Sequence, residues 1–125
     1  MLPDGFRGLR DAANADEQFR LESRGMEGSL VFDIAGSSAL LEISDGRIRS
    51  IRPSFQFSSS DVRLRCDAET WDRYRSNSPP PFYQDLRSIW INHGCSVEGD
   101  QVLALRYWGA MKRLAQLTAE GWEDV

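Results

Sequence analysis

Apolar and polar residues alternate at two different periods along this chain, and the changes of period mark its elements. In "SLVFDIAG" Leu30, Phe32 and Ile34 alternate with Val31 and Asp33, which predicts a strand over 29–36. "SALLEIS" predicts a second strand over 38–44; only Gly36 and Ser37 separate the two, the spacing of a tight hairpin. Asp45-Gly46 is a turn signal, and 47–52, with Ile48 and Ile51 among three arginines, completes a meander. "DVRLRC" (61–66) sets Val62, Leu64 and Cys66 against Asp61, Arg63 and Arg65, a half-buried strand, and "CSVEG" (95–99) predicts a short fifth one.

The remaining segments follow the helical period. Phe6, Leu9, Arg10 and Ala13 share one side of a loose helix over 6–22, broken by Gly25 and Gly28. Asp67 is a suitable N-cap for a helix over 67–76, with Trp71 and Tyr74 on one side, and the prolines of "NSPPP" end it. Phe82, Leu86, Ile89, Trp90 and His93 fit a helix over 81–94, stopped by Gly94. The last helix is expected over 100–118. Its main stripe is Leu103, Tyr107, Ala110, Met111, Leu114 and Leu117, with Val102, Leu105 and Trp108 on its shoulder. That arc is wider than one sheet contact needs. The tail "AEGWEDV" is expected to fray. The order of elements predicts an α+β domain: a five-stranded, mostly antiparallel sheet with helices on one face.

A length of 125 residues fits one domain, with 1–10 and 119–125 expected at its periphery. The net charge of −4 argues against nucleic acid as a partner. The basic residues are fourteen arginines and a single lysine, Lys112. Neither Cys66 nor Cys95 has a second Cys or His at metal-ligand spacing, and His93 is the sole histidine, so no metal and no cofactor is expected. A disulfide between the cysteines is possible on paper; two thiols in a cytoplasmic protein are the simpler expectation. No apolar run resembles a secretory signal or approaches the ~20 residues of a membrane span.

Few residues point to chemistry. Glu98 and Asp100 could form an acid pair, yet one belongs to a strand and the other to a helix start. Asp100 reads better as an N-cap and Gly99 as the bend before it. His93 suits a helix C-terminus, and Asp85, two turns away, is too distant to orient it as a base. Arg47, Arg49, Arg52, Arg63 and Arg65 could form a basic patch for an acidic head group, or a solvated sheet face balanced by Asp33, Glu42 and Asp61.

The strand ending Val97-Glu98-Gly99-Asp100 and running straight into an apolar helix resembles the C-terminal corner of sterol-carrier-protein type 2-like domains. So does the preceding order: a meander turning at Asp45-Gly46, a strand and a Trp-bearing helix together spanning Asp61 to Tyr74, then "NHGCSVEGD". The likeness runs from about Asp16 to Leu117. Where those domains carry a Gly-Lys segment before the last strand, this chain has Asn92-His93-Gly94-Cys95. The resemblance implies an apolar tunnel between sheet and helices that takes a sterol, a fatty acid or a fatty acyl-CoA. The residues expected to line it are Phe32, Ile34, Leu41, Leu64, Trp71, Phe82, Leu86, Trp90, Leu103, Tyr107, Trp108 and Met111. No catalytic residue is expected, and membrane contact at most transient. Two rivals remain: a module that packs its apolar helix on an enzyme domain or a second copy, and a small isomerase or dehydratase with a cone-shaped cavity.

Overall fold

The computed structural model describes residues 4–54, 60–76, 86 and 94–122. Five strands form one sheet: β1 (Gly28–Ile34), β2 (Ser37–Ser44), β3 (Arg47–Pro53), β4 (Val62–Cys66) and β5 (Cys95–Gly99), in the order β3-β2-β1-β4-β5. Every pairing is antiparallel except β1 with β4. The sheet is therefore mixed but mostly antiparallel, as the sequence predicts. The period-2 pattern places whole rows of side chains on one face. Ile51, Leu41, Leu30 and Val62 stand in one cross-strand row, and Ala39, Phe32, Leu64 and Val97 in the next. All of these but the half-buried Ile51 are buried. A register shift at Glu42/Ile43 lets Ile48 and Ile51, three residues apart, both reach this face.

Among the described residues the helices differ from the sequence expectation at two places; the helix expected over 81–94 lies, but for Leu86 and Gly94, outside them. The segment 6–22 is not one helix. A 3-10 turn (Asp4–Phe6) precedes α1 (Leu9–Ala15) and α2 (Glu17–Glu22). Asp16 separates the two helices: its backbone is extended, and its carboxylate accepts the Phe19 N–H at 2.8 Å as the N-cap of α2. The last helix is broken as well, into α4 (Gln101–Arg106) and α5 (Trp108–Glu120), at Tyr107 (φ −111°, ψ 29°). Between these lies α3 (Ala68–Tyr74), capped by Asp67, which accepts the Thr70 N–H at 2.7 Å.

The core sits between the sheet and the helices, and the chain ends contribute to it. Phe6 and Leu9 are buried, although 1–10 was expected at the periphery. The expectation of a fraying tail is corrected as far as Trp122, the rest of it lying outside the described residues: α5 runs to Glu120, and Trp122 packs edge-on against Phe6 (ring centroids 5.8 Å apart) and Trp71 (5.6 Å). Aromatic area at two chain ends finds one shared contact, which outweighs the polar character of the tail. The expectation of two free thiols is also corrected. β4–β5 register sets Cys66 opposite Cys95, with Cα atoms 4.2 Å apart, and the two are joined as a disulfide.

Candidate functional site

Four of the residues expected to line a tunnel come from the sheet. Phe32, Ile34, Leu41 and Leu64 are buried on the inner face. Opposite them, Trp71, Leu86 and Met111 are buried, while Leu103, Tyr107 and Trp108 are half-buried against the same core. Phe82 and Trp90 lie outside the described residues, as does His93. Trp71 is fully buried and packs beside Tyr74 (5.3 Å), yet its indole Nε1 has no hydrogen-bond partner among the described residues. A buried donor left unpaired costs about 1–3 kcal/mol, so an acceptor brought into this wall by a ligand would remove a standing penalty.

The wall is held unevenly. α5 buries Ala110, Met111, Leu114 and Ala115, and its Arg113 forks onto Asp16 with bonds of 3.0 Å (Nε) and 2.8 Å (Nη2). That guanidinium, together with the Phe19 N–H, holds the Asp16 carboxyl below its ordinary pKa of 3.8. α4 buries only Ala104. It is tied at its start, where Asp100 accepts the Leu103 N–H at 3.0 Å and Gln101 Nε2 donates to the Val97 carbonyl at 3.2 Å. Val102 and Leu105 face solvent, 74% and 66% exposed. The shoulder stripe of the last helix thus lies outside the core at those two positions, both on α4 before the break at Tyr107.

The other candidates fall into structural places. Gly99 has φ 101°, and a Cβ there would meet the Asp61 carbonyl oxygen. That is the backbone freedom the strand-to-helix corner requires. Glu98 faces outward, 3.6 Å from Arg65, and does not converge with Asp100 as an acid pair. The five-arginine patch divides. Arg52 meets Glu42 at 2.7 Å and Arg65 lies 4.0 Å from Asp33, cross-strand balance of the expected kind. Asp61 instead accepts the Ser29 N–H at 2.9 Å. Arg47 turns to a different place: an open cleft of about 650 Å³ between α2 and the β2–β3 turn, lined also by Arg20, Leu21 and Arg24. The sequence reading missed this cleft. Its only signals were Glu17 and Arg20 one turn apart, Arg24 just past the helix end, and an arginine directly after Asp45-Gly46. Among the described residues no three His, Cys, Asp or Glu side chains converge as a metal site, and no helix is long and apolar enough to cross a membrane.

No protein-family model and no curated protein sequence matches the chain. Solved structures do. A crystal structure of sterol carrier protein 2 matches with TM-score 0.74 at 17% identity, over 92% of this chain and 93% of its own. A solution structure of a conserved hypothetical protein from Thermus thermophilus matches with TM-score 0.65 at 17% identity, over 97% and 85%. A structure named UbiJ-SCP2 ubiquinone synthesis protein matches with TM-score 0.54 at 16% identity, over 88% and 89%. At these identities the likeness is one of fold. The chain has the α+β fold of sterol carrier protein 2.

Proposed function

We propose that this chain, built on the sterol-carrier-protein-2 fold, binds a hydrophobic ligand of the sterol, fatty-acid or fatty-acyl-CoA class between the inner sheet face and its C-terminal helices. It then transfers or presents that ligand without catalysing a reaction. The observation that carries the reading is the broken helix over the wall. α5 is pinned by Arg113 and packed through Ala110, Met111, Leu114 and Ala115, but α4 buries one small residue and leaves Leu103 half-covered, as are Tyr107 at the break and Trp108 just after it. Such an element lifts at low cost, because little apolar area is lost when it moves. The wall beneath offers apolar side chains and one buried donor, Trp71 Nε1, the composition of a lipid pocket. Burial of a long acyl or sterol skeleton supplies affinity at ~25 cal/mol per Å², less the cost of ordering.

The test is native mass spectrometry of the purified protein together with displacement of a fluorescent fatty acid. The reading expects co-purified lipid and displacement at micromolar ligand; the absence of both would sink it. A second reading is supported by the exposure of Val102 and Leu105: an accessory module that docks this helix on an enzyme domain or a second copy. The neighbour named as a ubiquinone synthesis protein shows the same fold under a name from biosynthesis. Light scattering separates the two. A concentration-independent monomer that still binds lipid favours the carrier over a self-associating module.

A further inference from the structure

Several arginines of this chain already have acidic neighbours. Arg10 meets Asp11, Arg52 meets Glu42, Arg65 meets Glu98, Arg73 meets Glu69 and Arg113 meets Asp16. Five others, Arg20, Arg24, Arg47, Arg49 and Arg106, form no ion pair and no side-chain hydrogen bond among the described residues. Three of those five, Arg20, Arg24 and Arg47, line one cleft of about 650 Å³. Scattered surface charge gives no reason for this concentration, least of all on a chain of net charge −4.

The cleft has a fixed frame. Ser23 Oγ donates to the Gly46 carbonyl at 2.8 Å, and Gly46 N–H donates to the Met26 carbonyl at 3.0 Å. The Asp45 N–H donates to the Glu27 carboxylate at 2.7 Å. These bonds lock the end of α2 to the β2–β3 turn, so guanidiniums from two elements face one space without having to find each other. Glu17 and Asp45 also line the cleft, but neither forms an ion pair with these arginines among the described residues. The rim therefore carries three positive charges against two negative ones, and the guanidinium forks are open.

We propose that this cleft binds a phosphate- or diphosphate-bearing ligand. Planar guanidinium forks match phosphate oxygens in pairs, and arginine remains charged at every physiological pH. The space far exceeds one phosphate, and Leu21 stands in it 59% exposed, which provides an apolar contact for the remainder of such a ligand. The site shares no residue with the hydrophobic wall, so it stands or falls independently of the carrier reading.

The test uses the full chain and two probes: inorganic pyrophosphate by calorimetry at low salt, and co-sedimentation with phosphatidylcholine vesicles containing phosphatidic acid. Arg20→Gln, Arg24→Gln and Arg47→Gln are compared with Arg49→Gln and Arg106→Gln, which remove the same charge outside the cleft. All five side chains are exposed, so each variant should fold, as circular dichroism will verify. The expected result is a loss of about tenfold for each cleft variant and less than about twofold for the controls. Pyrophosphate binding with that pattern supports a soluble phosphate ligand. The same pattern confined to vesicles supports a lipid head group as its source. No binding of either probe, or equal losses in cleft and control variants, overturns the proposal.

Discussion

The Asp16–Arg113 fork joins residues 97 apart in sequence and is expected to be the most valuable polar contact among the described residues. The perturbations are Asp16→Asn, Asp16→Ala and Arg113→Met, alone and in pairs. Asp16 has two functions. It caps α2 through the Phe19 N–H, worth about 1 kcal/mol, and it accepts two charge-assisted bonds from Arg113, together about 1.5–3 kcal/mol. The side chains are 16% and 20% exposed, so solvent screens the pair only partly. Asp16→Ala should therefore cost about 3 kcal/mol. Asp16→Asn, which keeps an acceptor for the cap, should cost about 1.5 kcal/mol. Both are large against the ~5–15 kcal/mol that holds a typical domain.

Urea unfolding of the four corners of the Asp16→Ala, Arg113→Met cycle should return a coupling energy of about 1–2 kcal/mol. The acid limb gives a second readout. Because the fork lowers the folded pKa of Asp16 below its ordinary 3.8, its contribution is fully present above the unfolded value. That contribution is lost as pH falls through the folded one. The stability difference between wild type and Asp16→Asn should accordingly shrink in strongly acidic solution. A coupling energy below about 0.5 kcal/mol, or acid limbs that stay parallel, would refute the reasoning.

Local chemistry accounts for what could be read from the sequence. The alternation of Leu30, Phe32 and Ile34, and of Val62 and Leu64, specifies which face of each strand is buried. Asp67 and Asp100 were legible as caps, because a carboxylate before an apolar helix has few better uses. The helix breaks were not legible. Ala13 and Phe19, and Leu103, Tyr107, Ala110 and Met111, continue the apolar stripe across each break, so periodicity registers no interruption where Asp16 and Tyr107 interrupt the backbone. The odd spacing of Ile48 and Ile51 did carry a signal, since both reach the core only through the register shift opposite Glu42 and Ile43. Pairings distant in sequence were hidden for a different reason. The joining of Cys66 to Cys95, the meeting of Phe6 with Trp122 and the gathering of Arg47 with Arg20 depend on strand register and chain return, which no local window contains.

Gly99→Ala should cost at least about 2 kcal/mol in urea unfolding, since it adds a Cβ at φ 101° against the Asp61 carbonyl; a neutral result would mean the corner adjusts freely. The disulfide closes a separation of 29 residues, for which the chain-entropy relation gives about 3.5 kcal/mol. Reductant or Cys66→Ala with Cys95→Ala should lower the unfolding free energy by that order, and a change under about 1 kcal/mol would contradict it. Val102→Ser with Leu105→Ser tests the exposed face of α4 directly. Both side chains are mostly in water already, so their replacement removes little buried area and should leave stability within about 0.5 kcal/mol. If α4 is the element that lifts to admit a ligand, these residues lie on its outer side, and equilibrium affinity for a fluorescent fatty acid should change less than about twofold. If they instead form the contact with a partner subunit, the double variant should abolish self-association seen in sedimentation. A large loss of stability would place the two side chains in the core and remove the basis for both readings of this helix.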